Sequence, residues 1–140
     1  MTYTDLMTNG AEYFYELIGP FLARREIERE LGAPIWDDDG REWRAALDGG
    51  VIGFASRIYR PQHRRVEIAS VFVNPEWRRR GIGRTLVAAL MVPGVRTRVV
   101  ATPVSVELYR SLGFTARAPR GKFLVMEHAD GKATPASHIG

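Results

Sequence analysis

The stretch V-E-I-A-S-V-F-V-N-P-E-W-R-R-R-G-I-G-R, residues 66–84, decides the fold. Its first part, residues 66–73, is rich in β-branched and aromatic side chains and predicts a strand. Asn74-Pro75 ends this strand, because proline lacks the N–H group that a sheet ladder needs. Two glycines among four arginines follow, and apolar residues at 86, 87, 90 and 91 then predict a helix.

The glycine-bearing loop at residues 78–84 is typical of an anion site. At a helix N-terminus, unpaired backbone N–H groups and the positive end of the helix dipole stabilise a bound phosphate. Glycine lets the phosphate approach the main chain, and arginine adds charge-assisted hydrogen bonds. The alternative for the loop alone is a glycine that caps a helix in an arginine-rich turn. We predict phosphate binding by Arg78, Arg79, Arg80, Gly81, Ile82, Gly83 and Arg84.

Two motifs resemble signatures of the GNAT superfamily of N-acetyltransferases, whereas the nucleotide-binding motifs G-x-x-x-x-G-K-[ST] and G-x-G-x-x-G do not occur. The first is R-x-x-G-x-G at residues 78–83, which resembles the acyl-CoA signature. The second is L-Y-R-S-L-G-F at residues 108–114, where Gly113 can take the left-handed conformation that ends a helix. The resemblance covers roughly residues 41–127. It implies an α/β fold with a mixed central sheet that is splayed in the middle and flanked by helices.

The resemblance also implies the cosubstrate and its position. The family transfers an acetyl group from acetyl-CoA and typically needs no metal, and the loop backbone holds the CoA pyrophosphate. The strand before the loop splays to admit the pantetheine arm, with a backbone N–H around Val71, Phe72 and Val73 as the oxyanion donor. Thr102 stands where many members carry asparagine, so its hydrogen bond to the pantetheine is expected to be weaker.

Tyr109 and Glu67 are the candidate catalytic residues. Tyr109 matches the family's tyrosine that protonates the departing thiolate, and a tyrosine with a reference pKa of about 10 is neutral at pH 7. The alternative is a core tyrosine at a helix end. Glu67 has the spacing of the glutamate base in the histone-modifying branch, and apolar neighbours on its strand are expected to raise its pKa. The alternative is an exposed strand residue paired with Arg57 or Arg65.

Composition is that of a globular protein with one core. The chain has 140 residues, of which 45% are hydrophobic and 26% charged. We expect one GNAT-like domain over residues 1–128. Residues 129–140 are polar and small, and we expect them to form a disordered tail.

The remaining elements follow from hydrophobic periodicity and turn residues. Residues 12–18 fit either a first strand or a short helix, and residues 20–31 fit a helix that Gly32 ends. The other expected elements are strands at 42–47 and 51–58, a strand at 95–101, a helix at 103–112, and strands at 114–118 and 122–128.

Several features are absent from the sequence. There are no cysteines, and the acidic run at residues 37–39 has no further ligand at suitable spacing, so we expect no metal. No apolar run approaches the length of a membrane span, so we expect no membrane partner. The first residues, M-T-Y-T-D, do not form a secretory signal, and we expect a cytoplasmic protein.

Basic charge is concentrated around the predicted phosphate loop. The net charge is +4, and eight of the 20 lysines and arginines lie between Arg57 and Arg84, where only Glu67 and Glu76 oppose them. This distribution suits CoA, which carries a pyrophosphate and a ribose phosphate, and it also suits nucleic acid.

The leading hypothesis is an N-acetyltransferase that moves an acetyl group from acetyl-CoA to a primary amine of a small molecule or protein by direct attack. The alternative is a protein of the same fold that binds CoA, or binds or modifies nucleic acid, without acetylating an amine. Nucleic acid is the minority interpretation, and the sequence leaves the oligomeric state open.

Overall fold

Seven strands form one mixed sheet in residues 1–134, the part of the chain that this computed structural model describes. The strands are β1 (Thr2–Tyr3), β2 (Glu42–Leu47), β3 (Val51–Arg60), β4 (Arg65–Val73), β5 (Arg96–Ala101), β6 (Thr115–Arg120) and β7 (Phe123–His128). Their order across the sheet is β1-β2-β3-β4-β5-β7-β6. β4 and β5 run parallel, and the other neighbouring strands are antiparallel.

Helices and short 3-10 turns connect the strands. The helices are α1 (Phe14–Leu17), α2 (Arg25–Leu31), α3 (Ile82–Leu90) and α4 (Val106–Ser111). Each 3-10 turn has a proline in its first or second position, where the fixed φ of proline suits a helical start and its missing N–H costs nothing. The turns are Gly19–Phe21, Pro61–His63, Pro75–Trp77 and Pro103–Ser105. Within residues 1–134, every helix is too short or too polar to cross a bilayer.

The helices cover both faces of the sheet. Strand side chains alternate between the faces, so neighbours such as Ala45 and Ala46 enter different cores. The core under α1 and α2 contains stacked aromatic rings, with the Phe54 ring 6.0 Å from Trp43 and 5.6 Å from Phe72. The core under α3 and α4 is mainly aliphatic. The helix-flanked mixed sheet predicted from the sequence is confirmed.

The central strand β4 separates from β5 halfway along its length. The two strands pair from Arg65 opposite Arg96 to Ile68 opposite Val99, and the pairing ends there. Shortly after this point Ser70 has a φ of 55°, a left-handed value that is uncommon outside glycine. The register with β3 also shifts here, which makes the distortion a β-bulge. The predicted splay in the middle of the sheet is therefore present.

The N-terminal region differs from the single helix predicted at residues 20–31. Residues 12–18 contain the short helix α1, one of the two predicted alternatives. Gly19–Phe21 then forms a 3-10 turn, and Arg24 is extended with φ −83° and ψ 107°, so α2 begins only after Arg24. Hydrophobic spacing continues through this break and does not reveal it. Gly32 ends α2 in the left-handed conformation, as predicted.

The tail predicted to be disordered over residues 129–140 is hydrogen-bonded to the domain as far as Thr134. The Gly94 N–H donates to Asp130 O at 2.7 Å, and the Thr134 N–H donates to Leu112 O at 3.1 Å. Main-chain hydrogen bonds hold this segment, and a polar composition does not reveal them. The chain beyond Thr134 lies outside the described residues.

Candidate active site

A cavity of about 550 Å³ lies between α4 and the loop that precedes α3. We call it the loop cavity. Its lining contains every residue predicted to bind the cofactor except Arg80. These are Val71, Phe72, Val73, Arg78, Arg79, Gly81, Ile82, Gly83, Arg84 and Thr102. The fold thus brings the end of β4, the glycine loop and the residue after β5 to one cavity.

The main chain of this loop offers a row of free N–H groups. The Arg78 N–H bonds to Pro75 O, and the Thr85 N–H bonds to Gly81 O. Between them, no main-chain N–H of residues 79–84 has a main-chain acceptor in the described part of the chain. Gly81 is left-handed with φ 79°, and no side chain caps α3. The free N–H groups and the helix dipole at this N-terminus favour a phosphate in the loop cavity.

Two of the predicted phosphate-binding arginines also brace the walls of the cavity. Arg78 Nε donates to Val73 O at 2.8 Å, and Arg78 Nη2 pairs with Glu30 at 2.6 Å. Arg84 Nη2 donates to Ser111 O at 3.0 Å. Arg78 thereby joins α2 to the end of β4, and Arg84 joins α3 to the end of α4. The two arginines therefore place positive charge in the cavity wall, and their hydrogen bonds also hold the wall in shape.

Arg80 does not lie where the sequence suggested. Its guanidinium stacks 4.7 Å from the centre of the Trp77 ring and donates to Glu76 O, outside the loop cavity. Arg79, in contrast, lines the cavity and has a φ of 64°. Neighbouring arginines in an irregular loop point in different directions, and the sequence contains no signal that separates them.

The two glycines of the loop serve different structural needs. Gly81 has a positive φ and open space around the position of a Cβ, so the backbone conformation requires it. Gly83 is helical and buried, and a Cβ there would lie 3.0 Å from Leu108 Cδ1. Gly83 therefore lets α3 approach α4 closely.

A second cavity, of about 540 Å³, runs along β4 and β5. We call it the sheet cavity. The end of α2 and the turn between β6 and β7 complete its wall. The two cavities share Leu31, Val71, Thr102 and Ser105, so they meet where β4 and β5 diverge. Both candidate catalytic residues, Glu67 and Tyr109, line the sheet cavity.

Glu67 lies between two arginines on the floor of the sheet cavity. Its carboxylate is 2.7 Å from Arg65 Nη2 and 3.1 Å from Arg60 Nε. Burial, the strongest single influence, raises the pKa of Glu67, but the hydrogen bonds and charges of Arg65 and Arg60 together lower it below its ordinary value. The expectation of a raised pKa was wrong, because the apolar neighbours along the strand are outweighed by two cations, Arg65 at the start of the same strand and Arg60 at the end of β3. Arg57, the other suggested partner, pairs with Glu42 instead.

Tyr109 is buried, with 3% of its surface exposed, and its ring packs edge-on against Phe114 at 5.4 Å. This burial raises the pKa of the Tyr109 hydroxyl well above its ordinary value. The hydroxyl is therefore protonated at neutral pH, but with a raised pKa it is a weaker acid than an exposed tyrosine. Tyr109 belongs to the core under α4 and also lines the sheet cavity, so its structural position fits both predicted alternatives.

Thr102 lies at the junction of the two cavities. Its Oγ1 donates to Ser105 Oγ at 2.9 Å, and Ser105 Oγ donates to Thr102 O at 3.0 Å. These bonds fix the Thr102 hydroxyl and leave its oxygen lone pairs as acceptors. Thr102 can therefore accept one hydrogen bond from a ligand amide, as expected from its place in the sequence.

Most residues of the sheet cavity were not predicted as site residues, among them Trp36, Arg98, Arg120 and Phe123. The Phe123 ring lies against Gly32, leaving no room there for a Cβ. The contact closes the cavity between the end of α2 and the turn that joins β6 and β7. The arginines on alternate positions of β5 were a possible signal for Arg98, but the sequence does not show which cavity they would face.

The acidic run does not belong to either cavity. Asp37 accepts a hydrogen bond from the Tyr15 hydroxyl at 2.7 Å, and Asp38 pairs with Arg41 at 2.7 Å. Neither these residues nor Asp39 lines the loop cavity or the sheet cavity. Among residues 1–134, no three or more His, Cys, Asp or Glu side chains are grouped so that they could hold a metal ion.

The sequence itself identifies the family. The acetyltransferase (GNAT) domain family matches residues 38–116, which is more than half of the chain. The chain therefore belongs to the GNAT acetyltransferases, a family that uses acyl-CoA as the donor. None of the curated proteins compared with the chain matches its sequence.

Solved structures with the same fold cover almost the whole chain. Escherichia coli ElaA has a TM-score of 0.68 at 18% identity, over 90% of this chain and 97% of that one. An acyl-CoA N-acyltransferase from Pseudomonas aeruginosa has a TM-score of 0.64 at 15% identity, over 92% and 100%. Spermidine N-acetyltransferase from Vibrio cholerae, in complex with CoA and spermine, has a TM-score of 0.65 at 16% identity, over 93% and 96%. At these identities the likeness establishes the fold alone.

Proposed function

We propose that the protein transfers an acetyl group from acetyl-CoA to a primary amine of a small molecule or protein. One observation carries this proposal: two cavities meet where β4 and β5 diverge. One has the phosphate-binding features of a CoA site, and the other contains a buried tyrosine and a carboxylate. A donor and an acceptor that enter the two cavities would bring their reacting atoms together at Val71 and Thr102.

Acetyl-CoA would bind along the loop cavity. Its pyrophosphate would accept hydrogen bonds from the amides of residues 79–84, with Arg79 as an additional cation. The edge of β4 that faces β5 has no strand partner after Ile68. Main-chain groups of residues 71–73 on that edge are therefore available to the pantetheine amides, which would extend the sheet as a strand does.

The acetyl group would move in one addition and one elimination. The amine nitrogen attacks the thioester carbon, a C–N bond forms, and the carbonyl oxygen becomes an oxyanion that a main-chain N–H near Val71 can hold. The C–S bond then breaks, and the thiolate takes a proton from the Tyr109 hydroxyl, which burial keeps protonated. The amine loses one proton to solvent or to a base, and the Tyr109 phenolate regains one proton from solvent, so that the protons balance over one turnover.

Glu67 is a weak proton acceptor in this arrangement. Its lowered pKa keeps it ionised at neutral pH but makes it less basic than an ordinary carboxylate. We therefore propose that the amine attacks as the free base, and that Glu67 contributes by holding Arg60 and Arg65 in place beside the acceptor. A direct role in proton removal would need the two arginines to move away.

The nucleic-acid alternative depends on the basic stretch at residues 57–65. Three of its arginines are already ion-paired within the fold, Arg57 with Glu42 and two others with Glu67. Paired guanidinium groups have less charge to offer to a phosphate backbone. These contacts favour the acetyltransferase over nucleic-acid binding.

Acetyl-CoA should stabilise the protein, and Tyr109→Phe should impair turnover. At about 100 times its dissociation constant, acetyl-CoA should add roughly 2.7 kcal/mol to the free energy of unfolding.

Tyr109→Phe should lower kcat about 10- to 1000-fold, because general acids typically contribute on this scale, while CoA affinity stays near wild type. The measurements are thermal shift, calorimetry and CoA release with amines, peptides and RNA.

The matched control for Tyr109→Phe is Tyr59→Phe, an exposed tyrosine on β3 outside both cavities. It should leave kcat unchanged. An unchanged kcat in Tyr109→Phe would return this residue to a purely structural role. Salt-sensitive binding of RNA with no amine turned over would overturn the proposed acetyl transfer.

A further inference from the structure

The sheet cavity, where the proposed acceptor would bind, carries an excess of positive charge. The charged residues in its lining are Arg65, Arg98, Arg120 and Glu67. An acceptor with a second ammonium group would meet like charges there, which opposes binding. The charge of the lining therefore limits which chemical class of acceptor can bind. This inference rests on the proposed transfer of an acetyl group to an amine.

Glu67 does not supply a site for a cationic group. Both oxygens of its carboxylate are already bound, Oε2 by Arg65 and Oε1 by Arg60. A further cation would have to displace one of these guanidinium groups. The negative charge of Glu67 is thus balanced within the fold, and the rest of the lining has no carboxylate.

Arg98 and Arg120 are the charges without a partner. Among residues 1–134, neither forms an ion pair with a carboxylate. Two carboxylates lie opposite Arg98 in the sheet, Glu67 on β4 and Glu127 on β7. Glu67 is paired with Arg60 and Arg65, and Glu127 is paired with Arg117 at 3.6 Å. The acidic run 37–39 lies outside the cavity. The lining of the sheet cavity thus contains two guanidinium groups that no carboxylate pairs with in the described residues.

The lining of the sheet cavity also contains aromatic side chains. Trp36 is 62% exposed although it is a large hydrophobic residue, and it lines the cavity together with Phe123. An exposed tryptophan at a cavity commonly offers a surface to a ligand. The wall suits the carbon skeleton of a small molecule whose charged groups point elsewhere.

We propose that the acceptor is a small amine that also carries an anionic group, a carboxylate or a phosphate, and that Arg98 and Arg120 bind this group. The planar fork of a guanidinium accommodates either anion through two hydrogen bonds. The amine of such a molecule would point toward the junction with the loop cavity. A cavity of about 540 Å³ is large enough for a molecule of amino-acid size.

Three acceptors of equal chain length test this proposal directly. They are γ-aminobutyrate, 1-aminobutane and 1,4-diaminobutane, whose far ends are anionic, neutral and cationic. With acetyl-CoA and the full chain, kcat/KM should be at least about tenfold higher for γ-aminobutyrate than for either other amine, because hydrogen bonds to charged groups are strong. A second pair, 3-aminopropyl phosphate and 3-aminopropanol, distinguishes a phosphate site from a carboxylate site.

Arg98→Gln and Arg120→Gln test the two guanidinium groups. Each should raise KM for the preferred anionic amine about tenfold or more and leave KM for 1-aminobutane and for acetyl-CoA unchanged. The control is Arg25→Gln, an exposed position at the start of α2 that is not in the cavity lining. Arg120 is exposed at the end of β6, so its substitution does not endanger folding.

Direct binding separates this proposal from the proposed reaction. Binding of γ-aminobutyrate and 3-aminopropyl phosphate to the CoA-saturated protein is measured by calorimetry. If an anionic amine binds in an Arg98-dependent way but is not acetylated, the anion site stands and the proposed transfer fails. If 1,4-diaminobutane is the better substrate, or if neither anionic amine binds, the anion site is refuted, whether or not another amine is turned over.

Discussion

The carboxylate of Glu67 should make the free energy of unfolding of the whole protein depend on pH in the acid range. Because its folded pKa lies below the ordinary value, its ion pairs stabilise the fold at pH values above the unfolded pKa. This contribution is lost as the pH falls through the folded pKa. The free energy of unfolding should therefore decrease on the acid side, below a pH of about 4.5, the ordinary value for this group.

We expect Glu67→Gln to flatten this acid dependence. At neutral pH the variant should be less stable than wild type, since Arg60 and Arg65 lose their common carboxylate. As the pH is lowered, it should lose less stability than wild type does. Urea unfolding at several pH values measures both effects, with Glu107→Gln, whose carboxylate is exposed, as the control. An unchanged slope on the acid side would contradict the lowered pKa.

At the scale of single residues, the sequence predicted positions better than properties. Glu67 and Tyr109 do line one cavity, and Gly113 is left-handed with φ 101°, as expected. The lowered pKa of Glu67 and the direction of Arg80 were not predicted. Arg65 is two residues before Glu67, and Trp77 is three residues before Arg80, but the sequence does not show which of several nearby residues each side chain contacts.

The N-terminus of α3 is the element on which donor binding should depend. Gly81→Ala puts a methyl group into the open space beside the free amides, where the phosphate would lie. It should weaken acetyl-CoA binding about tenfold or more, measured by calorimetry, because a hydrogen-bonded phosphate could no longer approach the main chain. Gly94→Ala is a matched control, since Gly94 also has a positive φ and open surroundings but lies outside the loop cavity.

Both glycine variants should lose a similar amount of stability, about 1–2 kcal/mol, because each forces a side chain into a left-handed conformation. The difference between them should appear in CoA affinity alone. Equal affinity in Gly81→Ala and Gly94→Ala would show that the loop does not hold the phosphates.

At the scale of elements, strands and their turns were predicted well. The hairpin of β2 and β3 follows from the turn residues Asp48-Gly49-Gly50 between two strand-forming stretches, and turn chemistry is local. The N-terminal helices were not predicted well. The extended conformation of Arg24 interrupts a stretch whose hydrophobic spacing continues, and tertiary packing on the aromatic core decides where α2 begins.

The segment after β7 links parts of the whole molecule that are far apart in sequence. It is hydrogen-bonded to Gly94, beyond α3, and to Leu112, at the end of α4. A chain that ends at Ala129 should therefore have a free energy of unfolding about 1–3 kcal/mol lower than one that ends at Thr134, because it lacks these hydrogen bonds. Its midpoint in urea unfolding should be lower accordingly. Equal midpoints would mean that these bonds contribute nothing to stability.

At this scale the sequence predicted the architecture and not the second cavity. The splayed sheet was implied by the resemblance to the GNAT superfamily that the motifs at residues 78–83 and 108–114 carry. The sheet cavity forms only where β5, the turn between β6 and β7 and the end of α2 come together. No local sequence pattern predicts that these elements are neighbours. The acceptor class was accordingly left open by the sequence.

The two cavities, as the described residues form them, have few residues in common: Leu31, Val71, Thr102 and Ser105. Arg98, Arg120 and Trp36 belong to the sheet cavity alone, while the glycine loop belongs to the other. Substitutions at the residues that belong to the sheet cavity alone can therefore accumulate over generations without disturbing the glycine loop. Descendants of this protein could exchange one acceptor for another while inheriting the same donor site, and a designer could alter selectivity by the same route.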